Sequence, residues 1–368
     1  MKKIAVVGQC TTKFSLDDVR IEDLLRSAST DVINKSKNMS QNDIDVVLVS
    51  TNENKKYLAS VVSEMTGINP RISHSVESLC NSGTNTIVSA YSYIQSGLAD
   101  IALVVGAERF DSPGQVLEWD LTRGEFKHPI FWASMFAKSH KRNFGTSDEH
   151  LAYVSAKNHK HAKDNPNAYS AKQYSVEDVI NSKKLTDDLR LLDCSRSCTG
   201  SSAIILASED KAKKITDSPV WITGIGQKTT SASFTKNNLL TLESTVQAAS
   251  QAYEMSGVKA PMVDVAEIHD AFSVCELMVL EDLGFVKKGQ AGDYVIDHYN
   301  TNNRKINPRG GLIGSGHPLG ATGIAQVSEI VSQLQGNAGK RQIDSPKVGL
   351  VHNMSAAATS STVLVMQN

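Results

Sequence analysis

Short runs of Ile, Val, Leu, Ala and Met punctuate the chain at residues 4–7, 46–49, 101–105, 203–207 and 363–366. A strand that is apolar at consecutive positions, rather than at alternate ones, is covered on both faces. Between the runs the period changes. Over 21–37, Leu24, Leu25, Ala28, Val32 and Ile33 fall on one side of a helix. Further helices are predicted over 56–66 and from Asn81 to about Ser96, with Gly97 as the C-terminal cap. A short strand is predicted over 73–77. Strands and helices in alternation predict an α/β fold with a mostly parallel sheet.

The alternation lapses from about 108 to 191. Aromatic, histidine and charged residues mix there, among them Trp119, Phe131, Trp132, Phe136, His140, His159 and His161. This reads as a long insertion with short helices of its own, of the kind that forms lids and binding loops. His159-Lys160-His161 is read as a solvated helix face rather than a metal site, because no Cys or carboxylate completes a ligand set. Cys194 and Cys198 flank a turn without a second pair, which speaks against zinc.

After 201–207 the pattern begins again. Residues 220–230 echo 4–12, and the helix predicted over 242–257 echoes 21–37. The strand at 263–268 matches 45–49, 348–351 matches 101–105, and 360–366 matches 201–207. His317-Pro318-Leu319-Gly320-Ala321-Thr322-Gly323 with its following helix matches Cys80-Asn81-Ser82-Gly83 with its own. A duplication is the economical reading. It gives one half over 1–210, insertion included, and another over 218–368. Packed face to face, the halves would bring the helix starts at Cys80 and His317 together near a pseudo-twofold axis.

Composition adds exclusions. Of the 368 residues, 40% are hydrophobic and 21% charged, ordinary for a soluble globular chain. A net charge of −1 gives no global pull toward nucleic acid or membrane. Five scattered cysteines argue against a disulfide framework and for a reducing compartment. The first apolar run is too short for a signal peptide, and no stretch reaches the length of a membrane span. A cytoplasmic location follows as the expectation.

Three loops carry chemistry. The first, Glu77-Ser78-Leu79-Cys80-Asn81-Ser82-Gly83, sets a thiol at the start of a helix, where backbone N–H groups favour the thiolate. Asn81, Ser82 and Gly83 are small, which would let an acyl group approach the sulfur. A lone free Cys is more often a buried structural thiol. The second loop, Glu267-Ile268-His269-Asp270-Ala271-Phe272, ends a buried strand. The third, Gly310-Gly311-Leu312-Ile313-Gly314-Ser315-Gly316-His317, is glycine-rich but lacks the spacing of a phosphate loop or dinucleotide fingerprint. Nucleophile, base and preorganised donors are what acyl transfer needs.

With those motifs in view, the sequence resembles the thiolase superfamily over essentially its whole length. The matches are Cys80-Asn81-Ser82-Gly83, His269-Asp270-Ala271-Phe272 and Gly316-His317-Pro318. The His-Asp form of the second loop resembles the sterol-carrier-protein type and the archaeal acetoacetyl-CoA thiolases. The resemblance implies a five-layer α-β-α-β-α thiolase fold and coenzyme A thioesters as substrates, with no bound cofactor and no metal. It implies that Cys80 takes an acyl group, that His317 activates the thiol, and that His269 helps bind the thioester oxygen. Typical members carry a second cysteine in a C-terminal loop. Here that loop is His352-Asn353-Met354-Ser355, with Asn353 at the cysteine position and Ser355 at the following glycine. The second acid/base is therefore open among His269, His317 and His352.

The same resemblance implies a homodimer or homotetramer, with the strand at 100–106 near the subunit contact. It also implies a complex with a 3-hydroxy-3-methylglutaryl-CoA synthase and a small zinc-ribbon/OB-fold scaffold protein. The expected activity is condensation of two acetyl-CoA, or thiolysis of acetoacetyl-CoA. Two alternatives compete: a C-acyltransferase delivering to a non-CoA acceptor, and a non-catalytic subunit. The retained Cys80, His269 and His317 argue against the second.

Overall fold

A computed structural model describes residues 2–112 and 124–368; Trp119 and the rest of 113–123, inside the insertion, lie outside the described residues. The elements in order are β1 (Ile4–Thr11), α1 (Ile21–Lys35), β2 (Val46–Ser50), α2 (Leu58–Thr66), β3 (Ile72–Val76), α3 (Ser82–Gln95) and β4 (Ile101–Glu108). The insertion supplies α4 (Pro129–Phe144), α5 (Asp148–Ala162) and α6 (Val176–Ile180). Then come β5 (Gly200–Ser208), α7 (Glu209–Ile215), β6 (Val220–Thr229), α8 (Glu243–Ser256), β7 (Val265–Glu267), α9 (Ser273–Asp282) and α10 (Ala291–Asn300). The chain closes with α11 (Gly311–Ser315), α12 (Leu319–Leu334), β8 (Val348–Met354) and β9 (Ser360–Gln367).

The strands run in the order β3-β2-β4-β5-β1-β6-β9-β8-β7. Outward from the short β1–β6 ladder, the two sides repeat each other. β1 pairs antiparallel with β5, β5 antiparallel with β4, and β4 parallel with β2; β6, β9, β8 and β7 follow the same rule. Even the register shift recurs, between Val6 and Gly8 and between Ile222 and Gly224. The duplication is thus written in the hydrogen bonding. At β3 it stops: the second side offers only an isolated bridge from Ala266 to Ile306.

The expectation of a mostly parallel sheet is overturned, because β5 and β9 run against both their neighbours. Glu108 pairs with Gly200, so the insertion leaves and re-enters the sheet at one end and acts as an enlarged hairpin loop. An antiparallel pair needs no crossover helix.

Three apolar clusters account for the layers. Ala5, Val47, Val49, Leu103 and Val105 pack outward with α1 and α2, while their neighbours Ile4, Val46, Leu48, Ala102 and Val104 pack inward with Ile87 of α3 and Ile324 and Val327 of α12. Val351 and Leu364 close the central cluster from the other half, and Leu350, Val363 and Val365 face outward onto α8 and α9. Helix, sheet, paired helices, sheet, helix is the resulting order. β4 lies between β2 and β5 with every residue buried, so it forms no exposed edge; the edge on that side is β3. The solvated face expected at 159–161 is also overturned. His159 and His161 are both buried, one edge-on to Tyr174 and the other bonded through Nδ1 to the Asn307 carbonyl.

Candidate active site

Cys80 sits in a tight turn between β3 and α3. Leu79 before it adopts φ +51°, the left-handed region that a branched side chain avoids. The turn is held by short bonds: Ser82 Oγ donates to the Leu79 carbonyl at 2.6 Å, Ser78 N–H to Ser82 Oγ at 2.8 Å, and Asn85 Nδ2 to Ser78 Oγ at 2.7 Å. Such strain persists where the surroundings over-determine it, often at a site of chemistry.

The nucleophile turn meets the start of α12, as the duplication predicts. An added Cβ on Gly83 would lie 3.0 Å from the Ile324 nitrogen and 3.1 Å from the Gly320 carbonyl oxygen. Asn81 and Ser82 are fully buried and Gly83 faces α12. The small size of Gly83 serves the approach of two helices, while Asn81 bonds Ser360 and Thr362 of β9 and Ser82 bonds the turn itself. Cys80, His269 and His317 place ligand-type atoms within 4.8 Å of one another, the one such trio among the described residues. The two imidazole rings stand edge to face, 5.3 Å apart. All three line a cavity of about 190 Å³, whose walls include Leu79, Ile130, Trp132, Phe272, Leu319, Ser355 and Ala356.

The hydrogen bonds of His317 fix its tautomer. Thr322 Oγ1 donates to the Pro318 carbonyl at 3.0 Å, so that oxygen accepts from His317 Nδ1–H at 2.8 Å. Nε2 is left as a lone-pair acceptor, and it has no partner among the described residues. Burial, with the charge of Arg309 adding, holds the ring well below the ordinary histidine range, so it is neutral and able to accept a proton. Burial likewise pulls His269 down to about 3, against the Asn353 side chain, which favours the charged ring. Cys80 departs from the sequence expectation. Burial raises its thiol to about 12, with Glu108 and Glu77 adding, and the backbone donor at the helix start does not compensate. At rest the sulfur is a thiol that needs a base.

The C-terminal loop divides. Asn353 faces the central layer and donates through Nδ2 to Gln326 Oε1 at 2.6 Å, leaving Oδ1 without a partner among the described residues, beside His269. His352 projects to the opposite side of β8 and bonds Thr245 Oγ1 at 3.0 Å. Strand alternation alone separates it from the cavity. Ser355 reaches the cavity wall, while its hydroxyl is engaged with Thr359 and Ser360 at 2.7 and 2.9 Å.

Two supporting groups escaped the sequence reading. Glu108, at the end of an otherwise apolar strand, is fully buried and accepts from Asn52 Nδ2 at 2.8 Å and from Gly320 N–H at 3.0 Å. It ties the region before Cys80 to the loop after His317. Its signal was a carboxylate closing a run whose faces are both covered. Asp270 accepts from the N–H groups of Leu312 and Ile313 at 2.6 and 3.2 Å and from Asn158 Nδ2 at 2.7 Å, so it anchors the glycine-rich loop. Behind it Lys157 pairs with Glu276 at 3.0 Å, both fully buried.

The chain is similar to known proteins along its whole length. Residues 4–210 match the family described as "Thiolase, N-terminal domain", and residues 226–368 match "Thiolase C-terminal domain-like". The acetyl-CoA acetyltransferase of Methanothermobacter thermautotrophicus is 35% identical over 99% of both chains. Sterol carrier protein 2 of Bos taurus is 36% identical over 76% of this chain, which spans only 56% of that longer protein. Among solved structures, an "Ltp2-ChsH2(DUF35) aldolase" covers 99% of this chain and 97% of its own at a TM-score of 0.88 and 23% identity, a likeness of fold. Duplicated sheet, paired helix starts and full-length similarity to an acyltransferase lead to one placement: the chain belongs to the thiolase family and is an acyltransferase of thiolase type.

Proposed function

We propose that the chain is an acetoacetyl-CoA thiolase that works through an acyl group on Cys80. The observation that supports this most is a neutral His317 whose Nε2, without a partner among the described residues, shares a cavity with the Cys80 sulfur. In the first half-reaction Nε2 takes the thiol proton as sulfur attacks the thioester carbonyl of acetyl-CoA. The new S–C bond replaces the bond to coenzyme A, which leaves with the proton from His317. In the second, a base removes a proton α to the thioester of another acetyl-CoA. The enolate carbon attacks the acyl-enzyme, the Cys80 S–C bond breaks, the departing sulfur takes the proton held by the base, and acetoacetyl-CoA forms. His317 returns to its neutral state between the two steps and serves as base in both. His269 donates to the thioester oxygen on which charge develops, the largest source of rate in such reactions. Asn353 is no base near neutral pH and orients His269.

A homodimer or homotetramer, a cytoplasmic setting and a complex with a synthase and a zinc-ribbon/OB-fold scaffold belong to the same proposal. The test is intact-mass analysis after incubation with acetyl-CoA. A single acetyl adduct, lost in Cys80→Ala, is expected, together with acetoacetyl-CoA thiolysis when free coenzyme A is supplied. No adduct overturns the acyl-carrier role. An adduct without thiolysis points instead to a non-CoA acceptor.

A further inference from the structure

The ligand-type atoms of Cys80, His269 and His317, one sulfur and two imidazole nitrogens, lie within 4.8 Å of one another. A thiolate with two imidazoles is the mixed set that borderline-soft ions such as Zn²⁺ prefer, at bond lengths of about 2.0–2.3 Å. Tetrahedral bonds of that length hold ligands roughly 3.5 Å apart, so the trio closes on an ion by a shift of about 1 Å. Imidazoles that bind metal ordinarily donate their other N–H to a partner that fixes ring and tautomer. His317 does so already: Nδ1–H donates to Thr322 Oγ1 at 2.8 Å, and Nε2 has no partner among the described residues. Beside His269, Asn353 Oδ1 is an acceptor without a partner among the described residues, and the bond to Gln326 holds it there. All three residues line the cavity of about 190 Å³. That gives an ion its entry path and leaves a fourth coordination position facing the space where the acyl group reacts.

We propose that Cys80, His269 and His317 bind a zinc-class divalent ion that reversibly arrests the enzyme. The ion is no resident cofactor, because no step of the proposed reaction uses one. Binding forms one metal–sulfur and two metal–nitrogen bonds, and the Cys80 thiol proton passes to solvent; nothing is oxidised or reduced. Capture ties up the sulfur and takes the His317 lone pair that would receive the thiol proton. Conversely, an acetylated Cys80 is a thioester and a poor ligand, so ion and acyl group exclude each other. Hard ions such as Mg²⁺ prefer oxygen ligands and do not compete. The site stands on its geometry, whereas the arrest rests on Cys80 as the acyl carrier.

The experiment titrates chelator-treated protein with Co²⁺, which absorbs in the near ultraviolet when a thiolate binds it, and then displaces it with Zn²⁺. The band is expected to saturate at a single site and to be absent in Cys80→Ala, a change that removes only the sulfur. Thr322→Val deletes the acceptor behind His317 and is expected to weaken Zn²⁺ binding about 10- to 100-fold, the usual cost of losing such a partner. Thr322→Ser should restore it. Zn²⁺ is also expected to stop acetylation of Cys80 by acetyl-CoA, followed by intact mass, while excess Mg²⁺ does not and a chelator reverses the block. A band that survives in Cys80→Ala, which would place the ion on Cys194 of the same cavity wall, overturns the inference. So does Zn²⁺ affinity unchanged in Thr322→Val, or acetylation that proceeds at saturating Zn²⁺. Acetylation of metal-free protein with no Co²⁺ band takes down the metal site alone. A band in protein that acetyl-CoA never acetylates takes down the acyl-carrier reading, and the arrest with it, but not the metal site.

Discussion

The two halves share one framework and diverge at equivalent connections. β4 and β5 are joined by residues 109–199, while β8 and β9 are joined by 355–359, yet both pairs are antiparallel hairpins at equivalent positions in their halves. The long loop brings Ile130, Trp132 and Leu185 to the cavity; the short one brings Ser355 and Ala356. The helix starts diverge as well. Cys80 follows an edge strand and a strained turn and stays half-buried, whereas His317 follows a glycine-rich loop and is buried on all sides. A duplicated scaffold thus presents two equivalent positions, and in the proposed mechanism the local chain makes one the nucleophile and the other a base at the cavity floor.

That division of labour predicts a graded set of losses. Removing the nucleophile should be most severe: Cys80→Ala is expected to lower kcat for thiolysis by at least about 10⁴-fold, the scale seen when an acyl-carrying residue is deleted. Residual turnover within tenfold of the wild type would contradict the assignment. Removing the base should cost less. His317→Ala is expected to slow acylation of Cys80 by at least about 100-fold, as for loss of a general base. Because burial holds the Cys80 thiol at about 12, its thiolate fraction at neutral pH is small and grows with pH. Alkylation of Cys80 by iodoacetamide should therefore climb steadily from pH 7 to 10, and a plateau near pH 7 would revive the helix-start picture of a standing thiolate.

A smaller effect is expected one bond further out. Thr322 holds the tautomer of His317 and touches no substrate, so it is a positioning residue. Thr322→Val removes the acceptor for Nδ1–H and should lower kcat by about tenfold, since the hydrogen bond on one ring nitrogen sets the state of the other. KM for acetyl-CoA should hardly move. Thr322→Ser should restore most of the rate; a rise in KM with constant kcat would refute this role.

The duplicated framework was legible in the sequence because apolar strands and the residues at helix starts recur in order. Each paired apolar run, from 4–12 with 220–230 to 201–207 with 360–366, became a strand with its counterpart in the other half, and 21–37 with 242–257 became the helices α1 and α8. The joining of Cys80 with His317 followed from that register. Strand direction was not legible, since a strand covered on both faces reads the same whether its neighbours run with it or against it. The buried polar layer of Glu108, Asn158, Asp270 and Glu276 was invisible for a related reason. A carboxylate in the sequence carries no mark of the partner that permits its burial, and His159 and His161 were assigned to solvent by the same default. His352 and Asn353 show the limit most sharply: adjacent in sequence, they fall on opposite faces of β8, and only the placement of that strand decides which of them reaches His269.

The weakest perturbation separates two explanations of a small residue beside the nucleophile. If Gly83 were small so that an acyl chain could pass, alanine there would raise KM and leave the fold intact. The geometry says otherwise: the added methyl would press on backbone atoms of Gly320, Gly323 and Ile324 at 3.0–3.2 Å, none of which can rotate away. Gly83→Ala should therefore destabilise the protein by about 1–3 kcal/mol, the usual range for overpacking a filled contact. That would be read as a lowered midpoint in urea or heat. KM for acetyl-CoA in the folded fraction should stay within about twofold, because ordinary binding changes need a contact with the ligand. A raised KM with an unchanged midpoint would return Gly83 to the cavity and weaken the view that the two halves are joined at their helix starts by backbone contact.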